Sequence, residues 1–141
     1  DVSKIRESER KFDFLAHHDP LTGLPNRLML TTELDHAIKV AHRQHTSFAL
    51  LLLDLDRFKD VNDSYGHAAG DELLTQVAAC LRRRLRDVDV VARLGGDEFV
   101  VVLENVPHSE DAGRVASEIA EGLGQRWTLS NGGCRTSIST R

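Results

Sequence analysis

Cysteine is scarce in this 141-residue chain: Cys80 and Cys134 are its only two. Two thiols do not make the framework of a disulfide-stapled secreted domain, so reduced thiols in a cytoplasmic setting are expected. Long apolar runs are also missing. Nothing approaches the ~18 residues that a membrane-spanning helix needs, and the longest stretch, Phe48 to Leu53, is strand-sized. Basic excess is the third absence. Eighteen Lys and Arg against 22 Asp and Glu leave a formal net charge of -4, which argues against a nucleic-acid binder. An acidic chain still binds a nucleotide when a metal ion offsets the phosphate charge. The start, Asp1-Val2-Ser3, carries no Met and no signal peptide and reads as a segment of a longer protein. That longer protein could be membrane-anchored; this segment is expected to face the cytoplasm and not to touch a membrane.

What is present is ordinary globular composition, 40% hydrophobic and 28% charged, with room for one core. Residues 1–18 place Ile5, Phe12 and Leu15 at near-heptad spacing, which suits a coiled-coil or linker helix as well as a solvated one. Asp19-Pro20 ends it. Leu30, Leu34, Ala37, Ile38 and Ala41 predict a helix over Arg27–Gln44, and Phe48 to Asp56 reads as a buried strand ending in acids. A polar turn holding Asn62, Asp63, Gly66 and Gly70 leads to a second long helix, from about Asp71 to Arg86. Val90–Leu94 and Phe99–Leu103 flank Gly95-Gly96, a hairpin signal because both glycines accept positive φ. Ser109 is a plausible cap for a third helix, with Glu110 and Asp111 suited to its first turn. The tail, Cys134–Thr140, suits a further strand. The order predicts an α+β, ferredoxin-like layer with helices on one face.

Chemistry concentrates at the strand ends. Asp54 and Asp56, two apart on a strand, share a face. Asp97 and Glu98 start the strand after Gly95-Gly96. If the two strands are neighbours, Asp54 and Asp97 converge as the oxygen ligands that Mg²⁺ prefers, shared with substrate phosphates. Acids at strand ends are often only solvated turn residues. The side-chain-free turn beside these favours a site, because phosphate or base can approach its backbone.

The segment Arg93-Leu94-Gly95-Gly96-Asp97-Glu98-Phe99 resembles, without substitution, the signature of GGDEF-type diguanylate cyclases. Asp19-Pro20-Leu21-Thr22-Gly23-Leu24-Pro25-Asn26-Arg27 resembles the motif that opens those domains. Asp54-Leu55-Asp56-Arg57-Phe58-Lys59 and the stretch from Asn62 to Asp71 resemble their metal and guanine-binding segments. The four motifs stand in the family's order, and the resemblance covers 19 to about 139. It implies a GGDEF domain over 19–141, preceded by a signalling or linker helix over 1–18. The implied fold resembles nucleotidyl-cyclase and polymerase-palm domains, a mostly antiparallel central sheet flanked by helices. The implied reaction condenses two GTP into cyclic di-GMP and two pyrophosphates. It further implies Asp54, Asp97 and the Leu55 carbonyl as ligands of Mg²⁺ or Mn²⁺, with Asp97 and Glu98 catalytic. Asn62 and Asp71 would read the guanine edge, the backbone at Phe58 and Lys59 would meet the triphosphate, and Gly95 and Gly96 would line the substrate.

One domain holds one GTP, so the implied chemistry needs a homodimer, consistent with a two-fold symmetric product. Arg86-Asp87-Val88-Asp89 resembles the family's RxxD inhibitory motif, where Arg86 and Asp89 would bind cyclic di-GMP. Arg82, Arg83, Arg84 and Arg86 also suit the negative end of a helix. The opening residues resemble the tail of a PAS sensor domain, and Pro25 resembles chains in which an EAL phosphodiesterase domain follows. The alternative function is a catalytically silent module that binds GTP or cyclic di-GMP and controls such an attached domain. Two departures stand out. Ser139 replaces a usual Gly, and the family's next helix, with a Lys and an Arg for the triphosphate, has no counterpart before Arg141. Turnover by this segment alone is therefore left open. His17, His18, His42 and His45 read as surface residues, His67 as structural, and Trp127 and Phe48 as core or interface.

Overall fold

A computed structural model describes residues 2–124, 126–129, 132–135 and 138–140, with side chains described over 3–124. α1 (Val2–His17) and α2 (Arg27–Gln44) come first. α2 starts where it does because the Asn26 carboxamide oxygen accepts the Met29 N–H at 3.1 Å. It ends at left-handed His45, φ 55°, whose N–H returns to the Ala41 carbonyl.

β1 (Ala49–Leu55) lies between β3 (Glu98–Leu103) and β6 (Ile138–Thr140), and β2 (Val90–Gly95) flanks β3. The resulting four-stranded sheet runs β2-β3-β1-β6, with every pairing antiparallel. α3 (Phe58–Tyr65) and α4 (His67–Arg84) connect β1 to β2, and α5 (Ser109–Leu123) follows β3. Two interleaved βαβ units of this kind make the α+β, ferredoxin-like arrangement. β4 (Arg126–Leu129) and β5 (Gly132–Arg135) form a separate antiparallel pair. The expected tail strand thus divides into β5 and β6, while Thr136 and Ser137 fall outside the described residues.

Alternation along the strands builds the main core. Leu51, Leu53 and Leu55 of β1 share it with Phe99, Val101 and Leu103 of β3, under Leu73, Val77 and Leu81 of α4 and Ile119 and Leu123 of α5. Each such side chain contributes about 1.5–3 kcal/mol on burial. The helices do not all lie on this face. Ala92, Val100 and Val102, of opposite parity, are buried as well, and α2 packs against β2 on that side. β1 is only half covered there, leaving Leu50 and Leu52 41% and 43% exposed, so its apolar run is not buried throughout.

The polar stretch after Asp56 is no simple turn. Phe58, Val61 and Tyr65 recur at helical spacing and pack on the core, making α3; Gly66, at φ 91°, separates it from α4. α4 consequently begins at His67 and takes Gly70 into its interior. At α5 the N-cap is His108, without a side-chain bond, and Ser109 is the first helical residue.

Candidate active site at one end of β1 and β3

The β1–β3 register sets Asp54 opposite Glu98, and the Leu55 N–H donates to the Asp97 carbonyl oxygen at 3.2 Å. Asp54, Leu55, Asp97 and Glu98 are thereby gathered at one end of the sheet. Asp54 and Asp97 are half-buried and Glu98 is exposed. Two local placements differ from the sequence reading. Asp97 sits in the turn, with β3 starting at Glu98, and Asp56 lies past β1, so it does not share a strand face with Asp54.

Gly95 (φ 148°) ends β2 and Gly96 (φ 49°) makes the turn with Asp97, with a register shift between Arg93 and Gly95. A Cβ on either would meet nothing within 4 Å, so backbone conformation, not crowding, demands glycine here, and the outer side of the turn is open to a ligand. Arg93 braces the turn from behind. Its Nε and Nη2 donate to the Gly96 carbonyl at 3.1 and 2.9 Å, its Nη1 to Asp19 Oδ1 at 2.7 Å. Its backbone N–H donates to the Pro25 carbonyl at 3.0 Å. Asp19 in turn accepts from the Thr22 N–H and hydroxyl at 2.8 and 2.7 Å. Burial pushes the Asp19 carboxyl up, but the Thr22 bonds and the Arg93 charge outweigh it and hold the pKa below the usual carboxylate value. The brace is absent from the residue roles inferred above; its only sequence signal is that Asp19 opens one motif and Arg93 another.

Next to the acids, Arg57 takes a left-handed conformation (φ 60°) and caps α3 without a side-chain bond. The first amides of α3, at Phe58 and Lys59, lie at the positive end of a helix whose N-cap residue contributes no side-chain bond, an arrangement suited to phosphate. Asn62 lies on α3. Asp71, on α4, is exposed and lines a cavity of about 490 Å³ with Leu21, Ala68, Thr75 and Gln76; Asn62 does not line it. Among the described residues no three His, Cys, Asp or Glu form a metal cage. The donor set is two carboxylates and a carbonyl, which fits a Mg²⁺ that keeps waters and shares phosphate oxygens rather than one enclosed by protein.

Arg86 and Asp89 come together at the opposite end of the β2–β3 hairpin. Arg86 Nε and Nη2 grip the Asp89 carboxylate at 3.0 and 2.9 Å, and Nη2 also donates to the Glu104 carbonyl at 2.8 Å. Hydrogen bonding to Asp89 raises the Arg86 pKa above its already high value. A cavity of about 470 Å³ opens beside them, lined also by Arg84, Asp111, Arg114 and Glu118. His17 and His18 cap the last turn of α1 through Nδ1, donating to the Asp13 and Phe14 carbonyls at 2.8 and 3.1 Å. Cys80 is a buried free thiol and Phe48 is half-buried; the Trp127 side chain lies outside the described residues. No helix is long and apolar enough to cross a membrane among the described residues.

Residues 16–140 match the family described as diguanylate cyclase, GGDEF domain. The chain is 41% identical over 130 residues to the diguanylate cyclase TpbB of Pseudomonas aeruginosa, covering 92% of the chain and 30% of TpbB. It is 42% identical over 138 residues to the bifunctional diguanylate cyclase/cyclic di-GMP phosphodiesterase MucR of the same organism, covering 98% of the chain and 20% of MucR. The structure of the TpbB GGDEF domain superposes with a TM-score of 0.84 at 42% identity, over 88% of this chain and 73% of that one. The coiled coil and GGDEF domain of DgcB from Caulobacter crescentus, in complex with c-di-GMP, gives 0.87 at 28% identity, over 99% and 74%. The chain thus spans less than a third of the full-length TpbB and MucR.

Proposed function

The chain belongs to the GGDEF family of diguanylate cyclases, and on that premise we propose that it condenses two GTP into cyclic di-GMP with loss of two pyrophosphates. The observation that carries this reading is the β1–β3 pairing, which gathers Asp54, Leu55, Asp97 and Glu98 beside the open turn at Gly95 and Gly96 and the N-terminus of α3. In each half-reaction a ribose 3′-oxygen bonds to the α-phosphorus of the partner GTP. The bond to the β-phosphate oxygen breaks, and pyrophosphate leaves. Asp97, assisted by Glu98, takes the 3′-hydroxyl proton. The amides of Phe58 and Lys59 hold the triphosphate, the Gly95-Gly96 backbone lets it approach, and Asn62 with Asp71 reads the guanine edge. Asp54, Asp97 and the Leu55 carbonyl would hold Mg²⁺ or Mn²⁺, which when bound would supply charge stabilisation at the α-phosphate under attack and at the leaving pyrophosphate.

Each chain carries one such site, so two must face each other. The exposed Ile5, Phe12 and Leu15 stripe of α1 supports pairing through that helix, and the DgcB relative includes a coiled coil. An upstream sensor, of PAS type, would act through residues 1–18 on the domain over 19–141, in the cytoplasm; MucR supports a downstream EAL domain. Arg86 and Asp89 form the product site, where cyclic di-GMP inhibits.

Product formation from GTP and Mg²⁺ tests the reading, run on this chain and on any longer protein that contains it. Cyclic di-GMP from the longer protein, lost on Asp97→Asn, is expected. GTP binding without product under activating conditions would replace the enzyme by a regulatory module.

A further inference from the structure

We propose that Gly70 sets base specificity by making room for the Asn62 carboxamide, an inference that rests on Asn62 and Asp71 reading guanine. Glycine inside a helix is less favourable than alanine, yet Gly70 lies in the first turns of α4. Its backbone does not call for glycine: the positive-φ glycines are Gly23, Gly66, Gly95 and Gly96. The reason lies above it. A Cβ on Gly70 would overlap Asn62 Oδ1, and would stand 3.0 Å from Asn62 Cγ and 3.3 Å from Phe58 Cζ. The missing side chain is therefore the space that the Asn62 carboxamide occupies, with the Phe58 ring edge beside it. Gly70 itself is buried and Asn62 half-buried.

This contact matters because the two base-reading groups sit on different helices. Asn62 projects from α3, and Asp71 follows Gly70 directly on α4. How closely α3 approaches α4 sets the distance between the carboxamide and the carboxylate. Guanine offers an acceptor at its 6-oxygen and donors at N1 and the 2-amino group, complementary to one carboxamide and one carboxylate. Adenine inverts the pattern at positions 1 and 6. A pair of hydrogen-bonding groups, closed off from water by the base it holds, rejects the wrong edge only while both are correctly placed. Gly70 contacts no substrate in this scheme; it is a positioning residue acting through Asn62.

The test titrates the α,β-methylene analogue of GTP, which cannot release pyrophosphate, and its adenine counterpart into the protein with Mg²⁺. Wild type, Asn62→Ala, Gly70→Ala and the double variant are compared. Loss of one hydrogen bond to the base corresponds to about a tenfold or greater loss of guanine affinity. Gly70→Ala is expected to show that loss, with guanine-over-adenine preference falling in step. Gly70→Ala should add nothing in the Asn62→Ala background, since the two act as one unit. If Asn62→Ala binds guanine as wild type does, the guanine reading fails and this inference with it. If Asn62→Ala weakens binding but Gly70→Ala does not, or the two losses multiply, Gly70 has no such role while the guanine reading stands. Should Gly70→Ala alone not fold, the double variant decides. A folded double variant with the Asn62→Ala affinity supports the shared space, and an unfolded one assigns Gly70 to helix packing alone.

Discussion

Arg93 and Asp19, 74 positions apart, are joined at 2.7 Å with 13% and 12% of their side chains exposed. The same guanidinium donates twice to the Gly96 carbonyl, so one side chain ties the loop after α1 to the turn that carries Asp97. That loop also holds the end of α1: the Asn26 N–H and carboxamide donate to the His17 and Ala16 carbonyls at 2.9 Å each. Arg93→Ala leaves Asp19 shielded from water without its cation and should cost about 3 kcal/mol. Arg93→Lys keeps the charge but cannot serve both acceptors with one ammonium, so it should rescue little of the turnover. Urea denaturation with product assays checks both; a Lys variant with wild-type stability and rate would remove the brace from the mechanism.

The same pair gives a pH dependence. The folded-state pKa of Asp19 is lowered, so its contribution is fully present above its ordinary value of 3.8 and is lost as pH falls through the lowered one. Wild type should therefore exceed Asp19→Asn in stability by a constant margin near neutrality, and the margin should close in acid. Denaturation midpoints from pH 7 down to about 2 measure it. A margin that does not narrow would mean that the carboxylate charge is irrelevant to the brace.

Periodicity reached some of this structure and missed the rest for physical reasons. α2 is legible to its ends because an Asn cap precedes it and a left-handed residue closes it. The hairpin is legible because Gly95-Gly96 forces it. α3 is hidden: its three apolar residues are scattered among polar ones, and glycines at 66 and 70 suggest a turn where the second serves packing. Leu50 and Leu52 belong to an apolar run whose outer face is only partly covered, which no local pattern reveals. The acids of the candidate site can be read locally, but their convergence depends on the β1–β3 pairing, and the Arg93 brace on a partner far along the chain.

Asp97→Asn is isosteric, keeps the backbone bond from the Leu55 N–H, and removes one carboxylate from the end of β1 and β3. Turnover should disappear while the unfolding free energy stays within about 1 kcal/mol of wild type. Near-normal product formation would place the metal and the base elsewhere.

Phe99, next to Glu98 and 1% exposed, anchors the end of β3 in the core. Phe99→Ala should cost about 3–5 kcal/mol through lost transfer energy and the cavity left behind. The stability loss should carry the candidate active site with it, because Asp97 and Glu98 depend on that strand end for their place. Chemical denaturation reads the first effect. The second shows as lost turnover under conditions where the variant is still folded; unchanged turnover there would mean that the turn is held by Arg93 alone.

Arg86→Ala probes the opposite end of the hairpin. The Asp89 side chain is only 3% exposed, so removing its guanidinium partner invites collapse of the turn, but the Arg86 backbone N–H still reaches Asp89 Oδ2 at 3.0 Å and is unaffected by the change. The turn should survive. What disappears is the planar fork that a cyclic dinucleotide phosphate would engage, and with it at least about tenfold in cyclic di-GMP affinity. GTP turnover, which we propose for the Gly95-Gly96 end, should persist and become insensitive to added product. Isothermal titration with cyclic di-GMP and initial rates at rising product concentration measure the two effects. Product affinity equal to wild type in a folded Arg86→Ala variant would move inhibition away from Arg86 and Asp89.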